Sequence, residues 1–255
     1  MTDSVRQMTE EITKILGEEQ LHSIWLYGSV VLEDFKPGWS DIDFMAFSNG
    51  PVTQEQAERL LMLRQALSAR EPKNPYYRCF EGIIVSLEEY LSGRYNRLVY
   101  WGTSGQRITD RYEPDVFSRF SLCRYGRCAW GSDDRSIFLC PGQAELAEAV
   151  RKHYEAIRRC AVQTDESLYS CGWLLDIARC LYTLRYHDVI AKTRAGRWAL
   201  AEHLFADEEP LRKALQVRQD PLEYRDRAEV KAWLASLGPA VQRYANVLEK
   251  ELESI

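Results

Sequence analysis

Two short segments, Leu26-Tyr27-Gly28-Ser29 and Ser40-Asp41-Ile42-Asp43, stand ten residues apart and constrain this chain more than any other feature. His22 to Val31 reads as a buried strand running through Ser23-Ile24-Trp25-Leu26-Tyr27 and ending at the small pair Gly28-Ser29. Asp41 to Phe47 alternates polar and apolar residues and then turns apolar, which reads as a second strand. Lys36-Pro37-Gly38-Trp39 between them is turn chemistry, because proline presets φ and glycine opens positive φ. Residues two apart in a strand share a face, so Asp41 and Asp43 project paired carboxylates while Ile42 points into a core. Two such charges about 4 Å apart repel by about 4 kcal/mol at an effective dielectric of about 20. A divalent cation turns that repulsion into coordination, and Mg2+ takes one or two carboxylates together with substrate phosphates. Gly28 permits close backbone approach, and the Ser29 hydroxyl with neighbouring amides can hold phosphate oxygens. An isolated Asp-x-Asp also occurs on solvated turns and strand edges. A strand ending in Gly-Ser followed by a strand opening on paired acids is far more specific, and it points to metal-assisted phosphate chemistry.

The surrounding chain reads as two regions. Val5, Met8, Ile12, Ile15 and Leu16 have the spacing of an amphipathic helix over residues 4–20. Gly50-Pro51 ends the second strand, and Thr53 is placed to cap a helix reaching about residue 69, with Glu55 and Gln56 in its first turn. Phe80 to Leu87 is a third strand, on which Glu81 is an acid in apolar company, where an acid is costly. It reads either as a third site carboxylate or as an edge-strand acid facing water. Glu88 and Glu89 fall at a helix start and are expected in solvent. Residues 94–139 are aromatic, dotted with glycine and without clear periodicity. From about residue 144 the pattern becomes helical, over Ala144–Arg159, Ser170–Tyr186, Lys192–Phe205 and Ala228–Glu253. The reading is α+β: an N-terminal domain over 1–142 with a mixed sheet and flanking helices, then a C-terminal α-helical bundle over 143–255.

Composition narrows the chemistry. Thirty-three Lys and Arg against thirty-eight Asp and Glu give a net charge of −5, which disfavours nonspecific nucleic-acid binding. Such a chain needs a metal or a local basic cluster to hold an anion, and it attracts cationic small molecules. Lys192, Arg194 and Arg197 form such a cluster. The apolar runs fall far short of the roughly 20 residues that span a bilayer, and the charged, amphipathic first residues are not expected to act as a secretory signal. The seven cysteines are scattered and contain no Cys-x-x-Cys pair, so reduced thiols in a cytoplasmic protein are expected.

The Gly-Ser-x10-Ser-Asp-Ile-Asp pattern resembles the nucleotidyltransferase superfamily of the DNA polymerase β type. Leu26-Tyr27-Gly28-Ser29-Val30-Val31 and Phe35-Lys36-Pro37-Gly38-Trp39-Ser40-Asp41-Ile42-Asp43-Phe44 are most similar to the aminoglycoside nucleotidyltransferases, in particular the streptomycin/spectinomycin adenylyltransferases. Leu174-Leu175-Asp176-Ile177-Ala178-Arg179, then Ala191-Lys192 and Trp198-Ala199, is similar to the LTLAR…K…WA pattern of that family's helical C-terminal domain. The resemblance implies Mg2+-dependent transfer of AMP from ATP to a hydroxyl of a small cationic acceptor, an aminoglycoside or aminocyclitol, with release of pyrophosphate. It implies Asp41, Asp43 and Glu81 as catalytic and metal-binding carboxylates, with Glu81 as the base. It further implies nucleotide contacts from Gly28, Ser29, Ser40 and Lys192. Arg179 is open between a phosphate contact and a simple pairing with Asp176. Adenylyltransferases of this type hold the acceptor with acids and an aromatic wall, for which Trp101, Asp165, Glu166 and Trp173 are the candidates. Trp101 resembles the family's tryptophan after the third strand, whereas Gln163–Ser167 stands at the family's acidic loop with its acids offset. Two alternatives stay open: the same chemistry on a lincosamide, a protein side chain or an RNA end, and a non-catalytic nucleotide-binding or antitoxin module.

Overall fold

A computed structural model of the 255-residue chain describes residues 1–102 and 105–254. These residues divide into two compact units. The first holds Met1–Phe35, Asp41–Pro114 and Ser118–Cys140; the second holds Pro141–Ile255 together with Lys36–Ser40 and Asp115–Phe117.

The first unit is built on a six-stranded mixed sheet in the order β5-β4-β3-β2-β1-β6. Its strands are β1 (Leu21–Tyr27), β2 (Ile42–Ser48), β3 (Phe80–Ser86), β4 (Leu98–Gly102), β5 (Gly105–Thr109) and β6 (Arg127–Gly131). β2 and β3 run parallel, and the other neighbours are antiparallel. The parallel pair needs a crossover, which α2 (Gln54–Arg70) supplies. Thr53 caps that helix as its sequence suggests: its hydroxyl accepts from the Gln56 amide, and the Gln56 side chain answers to the Thr53 amide. α2 and α1 (Thr2–Leu16) cover one face of the sheet, burying Met8, Ile12, Leu60 and Leu67 against Ile24, Ile42, Phe44, Phe80 and Ile84. The opposite face packs Trp25, Met45, Phe47, Ile83 and Val85 against Leu122 and Phe138. Leu122 is carried by α4 (Val116–Tyr125), and α3 (Leu87–Ser92) follows β3 directly.

The second unit is helical: α5 (Gln143–Cys160), α6 (Tyr169–Tyr186), α7 (Lys192–Ala201), α8 (Glu209–Gln219), α9 (Pro221–Tyr224), α10 (Ala228–Ala235) and α11 (Gly238–Glu253). Its centre is α6, whose Leu174, Leu175, Ile177, Ala178 and Leu181 have no exposure. Gly196 of α7 lies where an added Cβ would meet the side chains of Leu175 and Leu215 at 2.9 Å, so α6, α7 and α8 pack closely there.

The structure corrects several expectations. The single helix over 228–253 is two, because Gly238-Pro239 starts a new helix after Leu237; proline lacks the amide that continuation would require. Lys192–Phe205 ends as a helix at Ala201. Glu89 is buried, not solvated: its Oε1 accepts the Asn96 amide at 2.9 Å. Cys123 and Cys140 form a disulfide, with Cα atoms 5.6 Å apart, so the expected set of reduced thiols fails for this pair. Among the described residues no helix is long and apolar enough to cross a membrane.

Candidate active site

Strand pairing decides which polar side chains of the first unit meet. Tyr27 is the partner of Asp43 across β1 and β2, and Asp43 is the partner of Glu81 across β2 and β3. Directly paired residues share a face, so Tyr27, Asp43 and Glu81 form one row across three strands. The row lies on the face away from α1 and α2, since its neighbours in the strands, Ile42 and Phe44, are buried under those helices. Asp41, two residues before Asp43, falls on the same side of the chain.

Gly28 follows β1 in the left-handed region at φ +67°, and a Cβ built on it would sit 2.1 Å from Asp43 Oδ2. The Asp43 carboxylate therefore occupies the space that any other residue at position 28 would fill. Beyond it the chain turns sharply: the Gly28 carbonyl accepts the Leu32 amide at 3.1 Å, and the Ser29 carbonyl accepts the Asp34 amide at 2.9 Å. The Ser29 hydroxyl donates to the Asp41 carbonyl at 3.1 Å, which ties the Gly-Ser turn to the start of β2. The Gly28 amide donates to Ser121 Oγ of α4 at 3.0 Å.

The electrostatics follow from this crowding. Burial, joined by Tyr112 and by the carboxylates of Asp43 and Glu81, pushes the Tyr27 phenol well above its usual range. Burial and then the charge of Glu81 push the Tyr100 phenol up, with Asp41 adding to the effect. Tyr100 donates to Glu81 Oε1 at 3.0 Å. Among the described residues no three Asp, Glu, His or Cys side chains converge as a metal-ligating group. The donor set nevertheless suits a hard cation, because Asp41 and Asp43 offer carboxylate oxygens and Mg2+ draws its other ligands from phosphates and water.

Of the remaining candidates in this part of the chain, Ser40 is buried and its hydroxyl accepts the Lys36 amide at 3.0 Å within the Lys36–Ser40 turn. Trp101 overturns its assignment to an acceptor wall. It alternates with Tyr100 along β4 and so faces the helix-covered core, fully buried, with Nε1 donating to the Leu60 carbonyl at 3.0 Å and its ring 5.3 Å from that of Phe44.

In the second unit, Lys192 and Arg179 meet on one carboxylate that the sequence reading treated only as a partner for Arg179. Asp176 Oδ1 accepts from Arg179 at 2.8 Å, and its Oδ2 accepts from Lys192 at 3.0 Å. The three side chains retain only 14 to 26% of their exposure. Burial favours the neutral acid, but the charges of Lys192 and Arg179 outweigh it and hold the Asp176 carboxyl down at about 2. Burial pushes Lys192 below its usual range, against the pull of Asp176. The Arg179 guanidinium also lies 5.1 Å from the Phe117 ring centre. Trp173 is half-buried one turn before Asp176, on the same side of α6. Asp165 is exposed, and its carboxylate accepts the Ser167 amide at 2.9 Å as well as the Ser167 and Ser170 hydroxyls, which keep its pKa low. Glu166 is exposed.

Comparison with known proteins agrees with this layout. Residues 9–86 match the family described as nucleotidyltransferase domain, and residues 141–248 match the aminoglycoside adenylyltransferase C-terminal domain. No curated protein sequence matched the chain. Among solved structures, the chain is similar to spectinomycin adenyltransferase AAD(9) from Enterococcus faecialis, crystallised with ATP and spectinomycin. That similarity has a TM-score of 0.67 at 18% identity, covering 98% of this chain and 100% of the other, and it establishes a shared fold. With the two matches in this order along one polypeptide, the chain is a nucleotidyltransferase enzyme whose N-terminal part matches the nucleotidyltransferase domain and whose C-terminal part matches the aminoglycoside adenylyltransferase C-terminal domain.

Proposed function

We propose that the enzyme transfers AMP from ATP to a hydroxyl of a small cationic acceptor, an aminoglycoside or aminocyclitol antibiotic of the streptomycin or spectinomycin kind, and releases pyrophosphate. The observation that carries this reading is the row Tyr27–Asp43–Glu81, with Asp43 pressed against the bare Cα of Gly28. It sets a carboxylate for a cation beside a second carboxylate, next to a turn built for close approach. The ATP and spectinomycin bound to the structural neighbour support the substrate pair. Residues 1–142 serve as the nucleotidyltransferase domain, and 143–255 as the helical substrate-binding domain.

Asp41 and Asp43 would hold Mg2+, and Glu81, the partner of Asp43 across β2 and β3, is the neighbouring acid. When bound, the ion supplies charge neutralisation at the triphosphate and at the developing charge on the α-phosphate. Gly28 lets the phosphates approach the backbone, and Ser29 shapes the turn that receives them. Lys192 and Arg179 are the cationic side chains proposed for the nucleotide phosphates. Glu81 takes the proton of the acceptor hydroxyl as its oxygen forms a bond to the α-phosphorus and the bond to the pyrophosphate oxygen breaks. Positioning and electrostatics supply most of the rate. Asp165, Glu166 and Trp173 are available to the cationic acceptor, as carboxylates and an aromatic face.

The test is mass spectrometry of a pool of aminoglycosides, aminocyclitols and lincosamides incubated with enzyme, ATP and Mg2+. The expected product is one member carrying a single added adenylyl group, absent when Asp43→Asn replaces the wild type. Modification of a lincosamide alone, or no modified drug at all, overturns the acceptor assignment.

A further inference from the structure

Tyr100 stands on β4 opposite Ile83, so its phenol shares the site face of the sheet with Glu81. Its hydroxyl reaches Glu81 Oε1 at 3.0 Å. Two further features fix where that hydroxyl lies. Along β4 the next residue on the same face is Gly102, and a Cβ built there would lie 2.2 Å from Tyr100 Cε1 and 2.4 Å from its hydroxyl oxygen. The ring is therefore laid over a strand position kept bare for it. Arg107, the direct partner of Tyr100 across β4 and β5, sets its guanidinium 4.2 Å from the ring centre. The Tyr112 ring lies 6.4 Å away, and Tyr95, Tyr100, Arg107 and Tyr112 line a cleft of about 520 Å3.

We infer that Tyr100 is a positioning residue for Glu81: its hydroxyl holds one carboxylate oxygen and leaves the other directed at the acceptor hydroxyl. A glutamate has rotamer freedom that a general base must lose before each turnover, and a fixed donor removes that freedom beforehand. The inference rests on the reading of Glu81 as the base.

Tyr100→Phe removes the donor and keeps the ring. Gly102→Ala keeps the donor and fills the space beneath it; Gly102 is outside the left-handed region, so alanine imposes no backbone strain there. Crystal structures of both variants are expected to show Glu81 spread over more than one rotamer, against a single rotamer in the wild type. A single unchanged Glu81 conformation in both overturns the inference, and this readout needs no turnover. With the acceptor found in the mass-spectrometric screen, each variant is expected to lose at least tenfold in kcat while both KM values change less than twofold. In a Glu81→Gln background, Tyr100→Phe should cost less than twofold. An equal cost in both backgrounds shows that Tyr100 acts independently of Glu81 and sinks the inference. Wild-type turnover by Glu81→Gln sinks the base assignment itself, and the inference with it.

Discussion

Replacing Asp176 with asparagine removes the negative charge from a group of three and leaves two cations facing each other. The carboxyl sits at about 2 in the folded protein against an ordinary 3.8, and the difference corresponds to about 2 kcal/mol favouring the charged folded form. Burial acting on Lys192 offsets part of this. Loss of one partner of a buried pair costs about 3–5 kcal/mol when the other charge is stranded, and the residual solvent access of these side chains lowers that figure. About 2–3 kcal/mol is expected for Asp176→Asn, or roughly 4–12 °C in Tm for a chain of this size. The pH dependence follows from the direction of the shift. Because the folded pKa is depressed, the stabilisation is fully present above about pH 5 and declines as pH falls through 3.8 toward 2. Chemical denaturation of wild type and variant across that window measures the difference directly. A variant within 0.5 kcal/mol of wild type at pH 7, or a difference that stays constant down to pH 2, refutes the account. Asp176→Leu with Lys192→Met should recover part of the loss, since it strands fewer charges.

Other outcomes follow from the first unit. Asp43→Asn should abolish AMP transfer while leaving Tm unchanged or higher, because it relieves carboxylate crowding; retained turnover removes Asp43 from the chemistry. Gly28→Ala should reduce kcat/KM by about 100-fold or more, since its Cβ would collide with Asp43 Oδ2 and it faces a left-handed φ, and a crystal structure should show Asp43 displaced. Thr53→Ala should cost about 1 kcal/mol in urea unfolding by removing the α2 cap, with no change in kcat. Reduction of the Cys123–Cys140 bond, which spans 17 residues of chain, should lower stability by about 3 kcal/mol, and Cys123→Ser should make Tm insensitive to reductant.

The Gly-Ser turn and the paired acids were legible because their signals are local: proline and glycine set the turn, and a period of two sets which acids share a face. What made them a site was not local. The row Tyr27–Asp43–Glu81 depends on a parallel pairing across a 17-residue helix, and no short-range pattern reports that register. Trp101 and Tyr100 show the same limit. Both are aromatic residues on a strand with apolar neighbours on each side, so alternation could not say which faced the core. β4, β5 and β6 are five residues each, too short for periodicity to rise above noise. Asp176 carries a local signal: it stands between Leu175 and Ile177 in an apolar stretch of α6, where the family's LTLAR pattern has threonine. A charged residue there announces a buried counter-ion.

Lys36–Ser40 lies between the two strands that bear the site, yet it packs as part of the helical unit. Trp39 stacks with the Arg218 guanidinium 5.1 Å from its ring centre, and Gly38 is bare where Leu222 approaches. Neither unit is thus a contiguous stretch of polypeptide. A fragment cut at Pro141 would carry off the tryptophan that belongs in the other piece, so the protein resists dissection at its most obvious seam. Any effort to express, swap or recombine the halves has to transplant that five-residue excursion as well.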